Sequence, residues 1–201
     1  GVKVRVPRNL SDARVDALIS KKSTWIKKSI EVARKLPKSR KKEYVNGECF
    51  AYLGKNYRLK VNEGPSSAKL KGGYLEVFSP TPKKTEAIRG LLTQWYKRNA
   101  LARLKDKTIR FSDILGVKPA SVSIKDYRSR WGSCSAGGEL SYNWKIIIAP
   151  HTIVDYVVVH ELSHLIEHNH SAKFWSHVKS ILKDHQGSRE WLKLNAETLE
   201  V

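Results

Sequence analysis

The chain has 201 residues and a mass of 22.9 kDa, room for one compact catalytic domain with an attached subdomain and little more. Its 40% hydrophobic and 28% charged residues argue for a packed core and against wholesale disorder, and no apolar run approaches the roughly 20 residues needed to cross a bilayer. The formal net charge of +19 is lopsided: residues 1–107 hold 27 Lys and Arg against 9 Asp and Glu, and residues 108–201 hold 11 against 10.

In chain order, Val2, Val4 and Val6 alternate with Lys3 and Arg5 as a period-two strand. Ser11 suits the N-cap of a helix running to about Leu36, where Pro37 follows. Val15, Leu18, Ile19, Trp25, Ile26, Ile30 and Val32 are expected to form its buried stripe, and the basic run 38–42 an exposed loop. Cys49–Leu53 and Tyr57–Val61, separated by Gly54-Lys55-Asn56, read as a hairpin. Ala68–Leu70 and Tyr74–Phe78, joined through Gly72-Gly73, read as a second. Pro80 and Pro82 close this region, and a helix is predicted from about Lys83 to Leu104, with Ile88, Leu91, Leu92, Trp95, Tyr96, Ala100 and Leu104 on its apolar side. After Pro119, residues 120–131 alternate as a strand and Glu139–Tyr142 continue the sheet. Lys145–Ile148 fits either a strand or a short helical turn, and Pro150 is acceptable at the start of the next helix.

That helix carries His160-Glu161-Leu162-Ser163-His164. A spacing of four residues puts both imidazoles on one helical face, within reach of a single ion. Val154, Val158, Leu162, Leu165 and Ile166 are expected to anchor the opposite side. Glu161 points beside the ion, where it can take a proton from water whose pKa the ion lowers toward neutrality. A catalytic zinc takes three protein ligands and keeps one open position. The third ligand should come from beyond the helix, among His168, His170, Glu167, His177, His185 and Glu190. Asn169 suits the left-handed conformation that ends a helix, and Ser171 suits the cap of another beginning at Ala172. His170 then lies at the turn between two helices and is the favoured third ligand, while a Glu from the later helices would serve the same chemistry.

Several stretches together carry a resemblance: Ser129-Arg130-Trp131-Gly132-Ser133-Cys134-Ser135, Leu140 to Asn143, Ala149-Pro150, Asp155 to His164, Asn169-His170-Ser171 and Phe174-Trp175. Tyr44 to Tyr57 and Trp95-Tyr96 to Ala100 extend it toward the N-terminus. The sequence resembles the YgjP-like family of zinc metallopeptidases, which is similar to the SprT/Wss-type proteases and the minigluzincins. The resemblance implies a zincin-type α+β fold, zinc on His160, His164 and His170, and Glu161 as general base. With the elements above, the expected architecture is a zincin-like catalytic domain over residues 83–201, in which a small antiparallel sheet packs on the HExxH helix, after a basic β-rich subdomain over residues 1–82.

Within residues 128–142, an exposed strand edge could pair with an extended peptide, and Arg128, Arg130 or Tyr142 could stabilise an oxyanion. Trp131 is expected to be a core anchor and Gly132 a turn residue, Cys134 a small buried hydrophobe, and Asp155 a favourable charge at the positive end of its helix. The expected function is a zinc-dependent peptidase acting on a protein or peptide. The alternatives are a nucleic-acid-associated protein with a structural zinc, using the basic half as its surface, or a protease recruited to DNA. Two cysteines, too few for a disulfide framework, and the lack of a basic and apolar leader before residue 20 make the cytoplasm the expected compartment.

Overall fold

A computed structural model describes residues 4, 6, 7, 9–35 and 41–201. The chain divides into two compact units, Gly1–Pro37 and Lys38–Val201. In the first, helix α1 spans Asp12–Lys35, opened by the Ser11 carbonyl, which accepts from the amides of Arg14 and Val15. The expected buried stripe is only partly so: Val15, Ile26 and Ile30 are half-buried, but Leu18 and Ile19 are exposed and Trp25 is 67% exposed. The side chain of Val32 lies outside the described residues. So do residues 1–3, 5 and 36–40, with most of the first expected strand and of the basic loop; Val4 and Val6 are exposed and unpaired among the described residues.

The second unit begins with a four-stranded sheet in the order β1-β2-β4-β3. Strands β1 (Cys49–Tyr52) and β2 (Lys55–Glu63) pair antiparallel, with Tyr52 opposite Lys55. Their turn is therefore Leu53-Gly54, two residues with φ of 50° and 77°, one step earlier than the sequence suggested. This turn docks onto the next layer: Leu53 N–H donates to the Ile147 carbonyl at 2.8 Å, and a Cβ on Gly54 would lie 2.8 Å from Pro150 Cα. Only glycine satisfies both the positive φ and that approach. Strands β3 (Ser67–Lys71) and β4 (Tyr74–Ser79) form the second expected hairpin, and β4 also pairs in parallel with β2.

Helix α2 spans Thr85–Leu115 and extends the predicted helix by eleven residues. Beyond Leu104 its buried face continues through Thr108, Phe111 and Ser112; the interrupting Lys105, Asp106 and Lys107 disguise a helical period that only packing reveals. Gly116, at φ 67°, terminates it. A three-stranded sheet follows, β5 (Ser121–Lys125), β6 (Gly132–Cys134) and β7 (Glu139–Asn143), ordered β5-β7-β6. Residues 126–131 leave the predicted strand as a loop. The sheet is mixed, not wholly antiparallel, because β5 pairs in parallel with β7. Trp144–Ile148 resolve as a 3-10 turn, followed by α3 (His151–Ser163), α4 (Ala172–Ile181) and α5 (His185–Asn195). The architecture is α+β. The core joins α2, α3 and the inner faces of both sheets, with Tyr96, Leu104, Tyr142, Ile146, Val158 and Leu162 fully buried. No helix among the described residues is long and apolar enough to cross a membrane.

Candidate metal centre

Helix α3 is apolar almost all round, which is the pattern of a helix inside a core: Val154, Val157, Val158, Val159 and Leu162 are all buried. Asp155 forms an ion pair with Lys107 of α2, tying the two helices together; among the described residues it engages no histidine. Of the residues expected to anchor the far side, Leu165 is half-buried and Ile166 is exposed, because the helix ends at Ser163. His164 is the C-cap, still right-handed at φ −69° and ψ −16°. Positive φ outside glycine is confined, among the described residues, to Tyr44 and Leu53, so Asn169 does not end the helix in the left-handed way its identity suggested. Ser171 does start α4: its Oγ accepts from the Phe174 N–H at 3.3 Å.

The turn between α3 and α4 folds His170 back toward the helix. Ring nitrogens of His160, His164 and His170 all lie within 4.8 Å of one another, and the ring centroids make a near-equilateral triangle with sides of 5.1, 5.0 and 4.8 Å. His160 Nε2 and His170 Nε2 are 3.1 Å apart, a spacing that calls for a shared proton or a shared cation between the two nitrogens. Imidazoles at about 2.0–2.1 Å from one tetrahedral ion stand roughly 3.4 Å apart, so the donor set fits such an ion. His164 Nδ1 lies 3.2 Å from the Glu167 carbonyl; a carbonyl only accepts, so Nδ1 carries the proton and Nε2 is left as the free donor atom. Burial pushes the His160 pKa down to about 3, helped by the charges of His164, His170 and Arg189, and burial also lowers that of His164. Both rings are therefore held in the neutral form a metal requires.

The other third-ligand candidates do not join the cluster among the described residues. His168 and Glu190 are exposed, the latter near Lys193, and His185 is buried in a stack on Trp175 with centroids 5.5 Å apart. Phe174 is a partner that sequence reasoning did not assign: fully buried, it meets all three imidazoles at centroid distances of 4.9, 4.5 and 4.8 Å. Its signal was present in its place three residues after the Ser171 cap, which puts it beneath His170.

Glu161 is 6% exposed. Burial pushes its pKa up to about 7, opposed by the positive charge of Arg130. Gly132 sits in β6, not in a turn, and it makes room for this carboxyl: a Cβ there would lie 2.5 Å from both Glu161 Cγ and Oε1. Cys134, two residues on, is half-buried and packs against the core. Burial and the nearby Glu161 charge raise its thiol pKa, which favours the protonated form, consistent with the small-hydrophobe role expected of it.

A cavity of about 390 Å³ opens at His160 and Glu161, walled by Trp131, Tyr156, Val157 and Leu192 and rimmed by Arg130, Arg189 and Lys193. A second, of about 710 Å³, adjoins it and shares Arg130, Trp131 and Ala196. Trp131 is thus a half-buried wall of the cleft as well as a core contact. Arg128 lines only the second cavity. Tyr142 is excluded from oxyanion contact, since it is fully buried with its hydroxyl 3.1 Å from Thr108 Oγ1. Tyr156 and Arg189 were not legible as site residues: one lies within an apolar run, the other on a helix with no fixed spacing from the histidines.

Two solved structures are similar in part. The crystal structure of the metallopeptidase zymogen abylysin from Pyrococcus abyssi shares 21% identity and a TM-score of 0.42, covering 44% of this chain and 90% of that one. That of the metallopeptidase zymogen jannalysin from Methanocaldococcus jannaschii shares 20% and 0.41, covering 47% and 95%. No curated protein matches the sequence. The YgjP-like metallopeptidase domain, by contrast, matches residues 1–195, nearly the whole chain, and the chain therefore belongs to that family of metal-dependent proteases.

Proposed function

We propose that the protein is a zinc peptidase in which His160, His164 and His170 hold the metal and Glu161 is the general base. One observation carries this reading: three imidazoles converge beside a buried carboxyl at the mouth of a cleft. Three nitrogen ligands with a remaining position free is the donor set of catalytic zinc. When bound, zinc supplies Lewis acidity, polarising a scissile carbonyl and easing deprotonation of a water molecule.

The remaining work falls to the chain. His164 is oriented through the Glu167 carbonyl, and Phe174 packs against all three rings, so the ligands are positioned before metal arrives. Glu161 accepts the proton of the attacking water on its carboxylate and delivers it to the leaving amine. A carboxyl that titrates near neutrality is suited to both halves of that transfer. Arg130 keeps part of the ionised form available by its positive charge.

The test is Glu161→Gln. It should retain the metal content of the wild type while cleavage of an unfolded protein substrate falls by about 100-fold or more, whereas alanine at His160, His164 or His170, but not at His168, should release the metal. Undiminished turnover in metal-replete Glu161→Gln protein would overturn the assigned role.

A further inference from the structure

We infer that the cavity beside Glu161 selects a carboxylate of the substrate, held between Arg130 and Arg189, so that peptides with an acidic residue or a free C-terminus next to the scissile bond are preferred. The inference rests on the peptidase reading and adds a substrate class to it. The two guanidinium groups come from different elements, Arg130 from the loop before β6 and Arg189 from α5, and both line this cavity. Neither forms an ion pair with a carboxylate among the described residues, although the charge of Arg130 is felt at Glu161. Arg130 lies over the Tyr127 ring at 5.4 Å and Arg189 over Trp175 at 5.5 Å, contacts that orient a guanidinium and leave its donors free. Lys193, four residues after Arg189, adds a third cation to the rim; among the described residues its carboxylate neighbour is Glu190 at 3.8 Å, an exposed i,i+3 pair of little strength.

Among the described residues the acidic one lining this cavity is Glu161, whose role is already spoken for. Trp131, Val157 and Leu192 line the cavity floor, while both guanidinium groups are exposed at its rim, so water screens the charge and the selection rests on geometry. A planar guanidinium matches a carboxylate in a two-point hydrogen bond. The positive character is local. In the adjoining cavity Asp126, Glu197 and Glu200 enter the lining, and Lys145 is occupied by Glu200 at 2.8 Å. General attraction by the whole chain's charge would favour an acidic residue anywhere in a peptide, whereas this pocket favours it at one position.

The experiment uses the zinc-loaded full chain and peptides that are acetylated and amidated at their ends, identical except for Glu, Gln or Lys placed in turn at each position around the cleavage point. A second arm compares free-acid and amidated C-termini, which separates an α-carboxylate from a side chain as the source. At one position beside the scissile bond, kcat/KM for Glu should exceed that for Gln by about 3- to 10-fold. The ratio should fall toward parity in Arg130→Gln and Arg189→Gln and turn in favour of Lys in Arg189→Glu. Calorimetric binding of the same peptides to zinc-loaded Glu161→Gln protein reads the preference without turnover. Efficient cleavage that ignores the residue's charge at every position would overturn the inference and leave the peptidase reading intact, as would an Arg189→Gln variant that slows all peptides by one factor. Tighter binding of the Glu peptide with no cleavage by the wild type would support the pocket and sink the peptidase reading.

Discussion

Glu161 and Gly132 occupy space that only one of them can fill. The carboxyl of Glu161 reaches the mouth of the cleft because nothing projects from β6 at residue 132. Gly132→Ala would set a methyl group 2.5 Å from the Glu161 side chain, forcing the carboxyl to swing away from its position beside His160. Misplacing a catalytic group by about 1 Å costs on the order of 100-fold in rate, so kcat/KM of Gly132→Ala should fall by roughly that factor while metal content, which would be set by histidines that the substitution does not touch, stays at the wild-type level. Full activity in the variant would show that Glu161 tolerates the shift. The requirement was invisible in the sequence, where a glycine between Trp131 and Ser133 suggests a turn; a strand glycine facing a side chain from a helix about thirty residues later leaves no local mark.

At the scale of the element, the first turn of α4 does two jobs. Ser171 satisfies the Phe174 amide, and the residues on either side of that cap are His170, which faces His160, and Phe174, which supports all three rings. Losing an N-cap hydroxyl costs about 1 kcal/mol. Ser171→Ala should lower the melting temperature accordingly and, because His170 and Phe174 lose their fixed start, weaken zinc affinity in a competition titration by about 10-fold; Ser171→Thr should restore both. A variant that melts earlier yet binds zinc as tightly as the wild type would separate the cap from the site. Here the sequence was informative, since serine before a helical run followed by an aromatic is a local signal. The end of α3 was less legible: its apolar pattern runs on through Leu165 and Ile166, and only the structure shows the chain leaving the helix at His164.

Across the whole molecule, the metal would tie the end of α3 to the start of α4 and so act on stability as a ligand of the folded state alone. Free zinc at about 100 times its dissociation constant should add about 2.7 kcal/mol, a rise in melting temperature on the order of 5–10 °C for a domain of this size, reversed by a chelator and absent in His164→Ala. An equal rise in that variant would show the ion acting elsewhere. The motif histidines, both hairpins and the buried face of α2 as far as Leu104 were readable because each follows a short period along the chain. The parallel pairings of β2 with β4 and β5 with β7 were not, because alternation says which face of a strand is buried and nothing about its neighbour. The exposed Trp25 of α1 shows the opposite failure, an apolar residue in helical register that the described structure leaves in water. The contact of Gly54 with Pro150 joins these levels. Pro150 precedes the first residue of α3, so the first hairpin serves as an end stop for the rod that carries His160 and is capped by His164. A bulkier residue at position 54 would have to displace Pro150 and with it the start of that rod, and would be felt at His160, about a hundred positions away, although the motif itself would be unaltered.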